Sequence, residues 1–223
     1  MNATRAPGTP EDARARLLQA GLRLFAAQGF AKTSTRELAE AASVNVASIS
    51  YYFGDKAGLY KAVFEEPLGP PEADIARFIG SELTLAQALR GFYAGFLEPL
   101  RQGDEARLCM KLHFREMVEP TGLYDPMFAH GIKPSHDALV AVLVRHLQLP
   151  APDLEIDRLA ICLAGLGVHL HVGRDVIDQL APPLNEGEQA LDAWAERLVM
   201  FGLAMVQAEA RRRGIPIPGE PPR

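Results

Sequence analysis

The sequence predicts an all-α protein in two parts, a small N-terminal three-helix, helix-turn-helix domain and a larger helical body. Three observations lead there. Apolar residues recur at three- and four-residue spacing along most of the chain. Alternating Val/Ile/Thr runs bounded by turn dipeptides are nearly absent. Capping residues and glycines punctuate the N-terminal quarter at short intervals.

The 223 residues allow one or two domains. At 48% hydrophobic and 23% charged, a chain of this length buries enough surface to need no metal or disulfide. Two cysteines, Cys109 and Cys162, build neither a disulfide framework nor a zinc finger, so a reducing cytoplasm is expected. Residues 1–9 are polar and carry no apolar signal core. The longest uncharged apolar run, Leu159–Gly173, falls short of the ~20 residues that span a bilayer. Secreted, collagenous, disordered and membrane classes are thereby excluded. Net charge is −5, but it is unevenly spread. Residues 1–64 hold eight basic and five acidic side chains, and the remaining 159 hold 15 and 23. A basic head on an acidic body suggests a polyanion contact confined to the head.

The first helix opens on Thr9 as N-cap, Pro10 in the first helical position and Asp12 at capping-box spacing. Ala13, Leu17, Gly21, Leu24 and Phe25 form its inner face, and Gly29 stops it. A second helix of about eight residues starts on a capping box of Ser34 and Glu37 and turns its Leu38 and Ala42 inward. After the Ser43-Val44 turn, Asn45 caps a third helix that runs through Phe53, with Val44 and Ile49 at the spacing of a hydrophobic staple. Two short helices joined by a tight turn on a longer first one make a helix-turn-helix. Gly54-Asp55 breaks the chain again, and Asp55 caps a fourth helix whose first residue, Lys56, opposes the helix dipole. A phosphate bound at that helix end would explain the lysine.

In the third helix Ile49 and Phe53 face inward. Small residues and two tyrosines are left outside, which lets a helix sink into a major groove with hydroxyls near base edges and phosphates. Thr35, Asn45, Val46, Ala47, Ser48, Ser50, Tyr51, Tyr52 and Lys56 are therefore the expected DNA contacts.

The stretch Leu17–Phe64 resembles the DNA-binding domain of the TetR family of bacterial transcriptional regulators. The matching residues are Ala20, Phe25, Gly29-Phe30, Thr33, Glu37-Leu38-Ala39, Ala42, Val44, Ile49, Tyr52-Phe53, Lys56 and Leu59. The form Asn45–Gly54 looks like the CecR-type branch. That branch has a second motif, here Arg115-Glu116-Met117-Val118-Glu119-Pro120-Thr121 followed by Ile132-Lys133-Pro134-Ser135-His136. Two positions depart from the family. Ser43 stands where glycine is usual, which costs ~1 kcal/mol if a left-handed backbone is needed there. Ser50 stands where tyrosine is frequent.

The resemblance implies an all-α ligand-binding and dimerisation body, and the sequence agrees. Leu85, Leu89, Phe92, Phe96 and Leu100 share a stripe of one helix that Pro99 should bend or end. The next helix, about 105–119, is apolar on more than one side, so His113, Arg115 and Glu116 need partners near buried surface. An ion pair with the following turn and the wall of a ligand cavity are both open. The expected effector site lies between Phe92, Tyr93 and Phe96 on one helix and Met110, His113, Phe114 and Met117 on the next. A competing place is the dimer seam, at His169 and His171. In the family the last two long helices pair in the dimer, which points to Leu159, Leu163, Leu166 and Leu170 with Trp194, Leu198, Phe201 and Met205.

His169 and His171, two apart, point different ways and make a poor metal pair. His113 with Glu116 could coordinate, but no metal and no cofactor is expected. Gly165-x-Gly167 lacks the strand and helix of a dinucleotide loop. The expected boundaries are a tail at 1–9, the helix-turn-helix at 10–55, the body at 56–213 and a Pro-rich tail at 214–223. The expected function is a ligand-responsive, homodimeric repressor on a palindromic operator, not an enzyme. The alternative is a small-molecule-binding or enzymatic all-α protein with a vestigial helix-turn-helix.

Overall fold

The computed structural model describes residues 10–65, 71–123, 131–187 and 189–216. The Thr9 cap, the tail at 1–9 and most of the C-terminal tail lie outside these. Among the described residues there are helices and no strand. The helices are α1 (Pro10–Lys32), α2 (Thr35–Ala42), α3 (Ala47–Phe53), α4 (Lys56–Glu65), α5 (Pro71–Ala76), α6 (Leu85–Arg101), α7 (Asp104–Val118), α8 (Lys133–His146), α9 (Leu154–Val172), α10 (Arg174–Leu180) and α11 (Ala190–Arg213). They form two compact units. The first joins α1–α4 to α7, and the second holds α5, α6 and α8–α11. The expected boundary at 55/56 placed α4 and α7 in the body, whereas here both pack with the helix-turn-helix.

The first unit is built around Leu17, Phe25, Leu38, Ile49, Leu59 and Phe64, all fully enclosed. Its short helices are held by local bonds, as the sequence predicts. Gly29 leaves the helical backbone at φ 80°. Ser34 and Glu37 form the reciprocal capping box of α2. Ser43 adopts the left-handed conformation, φ 52° and ψ 49°, that closes α2. Asn45 Oδ1 accepts from the Ala47 N–H at 2.9 Å and opens α3. Asp55 Oδ1 accepts from the Gly58 N–H at 2.7 Å and opens α4. Gly58 is obligatory by space, because a Cβ there would sit 1.9 Å from the Phe53 carbonyl oxygen.

The second unit packs by aliphatic and aromatic layers. Leu89, Tyr93, Leu139, Leu143, Ile156, Leu163 and Val206 are its enclosed centre. Pro99 does not end α6, which continues to Arg101. The ring of Phe96 lies against Gly167, where a Cβ would come within 2.6 Å, so α6 and α9 approach closely at that glycine. Asp153 caps α9 and takes a two-pronged bond from Arg213 at 2.8 Å, which ties the end of α11 to the start of α9.

Most of the residues expected at the dimer seam are spent inside this unit. Leu159, Leu163, Leu170 and Leu198, expected at the dimer seam, are buried within one chain. Leu166, Trp194 and Met205 are half-buried against the same core, and only Phe201 is exposed, at 46%. An α9 apolar on nearly every side gives no periodic signal for which face turns outward. The exposed face carries Leu154, Arg158, Ile161, Gly165, His169 and Val172. On α11 it carries Ala193, Arg197, Met200, Phe201, Ala204 and Ala208.

Candidate nucleic-acid interface

The outward face of α3 is assembled by its burial pattern. Ile49 is enclosed and Phe53 is half-buried, with the Arg14 guanidinium 5.3 Å from the centre of its ring. Asn45, Val46, Ala47, Ser50 and Tyr51 are exposed, and Ser48 and Tyr52 lie at the flank. Thr35, on α2, is exposed as well. Tyr51 is 81% exposed, too much for a ring that serves the core. It meets Tyr52 edge-on at 4.8 Å, so the two rings brace each other and present two hydroxyls. Small side chains, hydroxyls and one amide on an exposed short helix can approach base edges and donate to phosphates.

Lys56 is placed differently from the expectation. Its ammonium donates to the carbonyls of Phe30 at 3.0 Å and Thr33 at 2.9 Å, and it lies 4.1 Å from the centre of the Phe30 ring. The cation that opposes the dipole of α4 is thus matched to carbonyls at the C-terminal end of α1, Phe30 in its last turn and Thr33 just past it. It fixes the joint between α1, α2 and α4 instead of standing free for a phosphate.

The first part of the second motif of the resemblance, Arg115–Thr121, forms the joint between α7 and α4, while its second part, Ile132–His136, opens α8 in the other unit. Glu116 is 5% exposed. Tyr60 on α4 donates its hydroxyl to one carboxylate oxygen at 2.6 Å, and the Thr121 N–H and hydroxyl both donate to the other at 2.8 Å. Burial, reinforced by Glu116, raises the Tyr60 hydroxyl far above its ordinary pKa, so it stays protonated and remains a donor. Arg115 pairs with Glu119 at 2.9 Å and packs over Gly29 of α1. The His113 ring meets Phe64 edge-on at 4.7 Å, and its Nδ1–H donates to the Cys109 carbonyl at 2.9 Å. Burial lowers the His113 pKa despite that bond, and it pushes the Cys109 thiol, with Glu105 nearby, up to about 12.

The residues of the expected effector wall divide between the two units. Met110, His113, Phe114 and Met117 belong to the first unit, where Met117 is 48% exposed. Phe92, Tyr93 and Phe96 belong to the second, where they fill core. Phe92 packs edge-on against Phe78 at 5.4 Å and against Phe96 at 5.5 Å, and the Tyr93 hydroxyl donates to the Leu163 carbonyl at 3.2 Å. At the alternative seam, His171 Nε2–H donates to the Phe96 carbonyl at 2.8 Å, while His169 is exposed. The Tyr60–Glu116 bond was not foreseen from the sequence. The available signal was a tyrosine inside the apolar run of α4, whose hydroxyl had to find a buried partner.

An exposed, capped α3 on a three-helix base defines a helix-turn-helix DNA-binding protein. Residues 17–63 match the family model "Bacterial regulatory proteins, tetR family". Residues 85–205 match the C-terminal domain of the HTH-type transcriptional dual regulator CecR. The chain belongs to the TetR family of transcriptional regulators and is of the CecR type. It is 28% identical to the dual regulator CecR of Shigella flexneri over 178 residues, 75% of this chain and 79% of that one. It is 30% identical to AcrR of Shigella flexneri over 164 residues, 70% and 74% of the two chains. Among solved structures it resembles NalD of Pseudomonas aeruginosa, described as the secondary repressor of a multidrug efflux pump. That match has a TM-score of 0.60 at 19% identity, over 88% of this chain and 97% of the other. It also resembles SmeT in complex with triclosan, with a TM-score of 0.61 at 18% identity over 95% and 97%.

Proposed function

We propose that this regulator is a repressor that binds a palindromic operator as a homodimer and leaves it when a small molecule binds the body. The observation that carries the DNA reading is the exposed face of α3, where polar and small side chains stand over a base fixed by caps on both sides. A single short reading helix has little specificity, and two copies would read half-sites ~34–36 Å apart. The exposed stripes of α9 and α11, with Ile161 at 62% and Val172 at 57% exposure, support a second copy as their cover. Release by a ligand is supported by chain connectivity: α6 of the body leads directly into α7, which is bonded through Glu116 to the helix that follows the reading helix. Such a ligand acts only through its different affinity for the bound and free states.

None of these roles asks for catalysis, and the buried, protonated Cys109 is unsuited to act as a nucleophile. Among the described residues no single helix is long and apolar enough to cross a membrane. The place of action we propose is the cytoplasm, with the DNA.

Selection of bound sequences from a random duplex pool tests the reading. A two-fold symmetric consensus, bound more weakly as salt rises, is expected. Failure to enrich any sequence, or a consensus with no symmetry, overturns it.

A further inference from the structure

The outward face of α3 is defined as much by what it lacks as by what it carries. Residues 45–53 hold no lysine, arginine, glutamine or acidic side chain. Val46 enters α3 with helical dihedral angles, φ −54° and ψ −36°. Val46 and Ser50 therefore stand in one row and Ala47 and Tyr51 in the next, and all four are exposed.

Each base pair shows its own set of groups in the major groove, and few side chains match each set. Guanine is read by the donors of an arginine or a lysine, and cytosine by a carboxylate. This face offers neither. The cation that follows it, Lys56, is held by the Phe30 and Thr33 carbonyls and does not supply the missing donors. Adenine is read by an amide that donates and accepts at once. Asn45 is the one amide here, and its Oδ1 is turned to the Ala47 N–H at 2.9 Å, so that two-pronged pairing is given up to cap α3. The hydroxyls of Ser50 and Tyr51 bond to donors and acceptors alike and discriminate little. What remains in the groove is the C5-methyl group of thymine, whose complement is an apolar side chain. Val44, two residues earlier, is half-buried, whereas Val46 is 45% exposed and holds its methyls on the reading face.

We infer that the regulator selects its operator through thymine methyl groups, with Val46 as the specificity-determining residue and Ala47 beside it. The inference rests on the DNA-binding reading of α3 and adds which base that helix prefers.

Fluorescence anisotropy of the full chain on a duplex recovered by selection tests it. Each thymidine of the consensus is replaced in turn by deoxyuridine, which lacks only that methyl group. At least one replacement should weaken binding about fourfold, the worth of one buried methyl. At the same position 5-methylcytosine paired with guanine should bind more tightly than cytosine paired with guanine. Val46→Ser should lose the distinction between thymidine and deoxyuridine there. Its salt slope should stay that of the wild type, since no phosphate contact is touched. Thermal melting checks the variant, and Val46→Ala replaces it if the serine variant does not fold. Failure to recover any duplex overturns the DNA-binding reading and this inference together. A recovered duplex in which every thymidine can be replaced without loss overturns the inference alone. So does a loss confined to guanines replaced by 7-deazaguanine. A deoxyuridine effect that persists unchanged in the folded Val46 variant overturns Val46 as the reader.

Discussion

The two units are held together by different kinds of force. In the first, nearly every junction is a directional bond: Ser34 with Glu37, Asn45 to Ala47, Asp55 to Gly58, Lys56 to two carbonyls, Tyr60 to Glu116. In the second, longer helices pack through broad aliphatic and aromatic faces and the close approach of Phe96 to Gly167, and bonds such as Arg213 to Asp153 and Tyr93 to Leu163 pin them at separate points. Directional bonds fix angles, and a reading helix must present its side chains to base edges at a set angle and depth. Apolar packing is non-directional and sets no such angle, which would suit the ligand response proposed above. The head should therefore fail at single points, while the body should weaken by degrees.

The largest effect should come from the surface that joins neither pattern. Phe201→Glu places a carboxylate in the exposed α11 stripe. It should leave each chain folded but oppose pairing by ~3–5 kcal/mol, because the charge would be buried without a partner. Sedimentation should show a dimer for the wild type and a monomer for the variant, and a variant that stays dimeric would move the interface elsewhere. Gly58→Ala should distort the α3–α4 turn and cost ~1–3 kcal/mol, since the methyl meets backbone that cannot give way. Denaturant unfolding reads the loss, and a midpoint equal to the wild type would mean that the turn relaxes freely.

Lys56→Met sharpens the contrast further. It keeps the apolar stem but removes two charged hydrogen bonds, so it should lower the stability of the head by ~1.5–3 kcal/mol. The salt dependence of DNA binding should not change. A salt slope flattened by about one phosphate with an unchanged melting temperature would show the ammonium on DNA instead. The smallest effect is a gain. Ser43→Gly relieves the left-handed strain and should stabilise by ~1 kcal/mol, raising the melting temperature by ~2–4 °C.

What could be read from the sequence divides along the same line. The Ser34–Glu37 box, the Asn45 cap, the left-handed Ser43 and the outward face of α3 are local, set by residues within four positions of one another. Lys56 was misjudged because its partners, Phe30 and Thr33, lie far back in the chain, and a dipole argument considers only the lysine's own helix. The body defeated periodicity for another reason. In α9, Leu159, Leu163 and Leu170 look more like an interface than the true outer row, which is interrupted by Arg158, Gly165 and His169. For α7, two apolar sides announced two neighbours without saying which. The α4 side rests on Glu116 reaching Tyr60 and the α1 side on Arg115 lying over Gly29, pairings that no spacing rule contains.

Because α7 completes the first unit, the head is not a continuous stretch of chain. When the ribosome has finished α4, the faces of α1 and α4 that will cover Cys109, Leu112 and Glu116 are still bare, and the Tyr60 hydroxyl has no acceptor. Domains made during synthesis settle as units once their last contact arrives. Here that contact is Thr121, and all of α5 and α6 must emerge before it. A nascent head in this state lacks the bond that holds α4, the helix next to the reading helix, so it reaches its full set of contacts only after α7 is made.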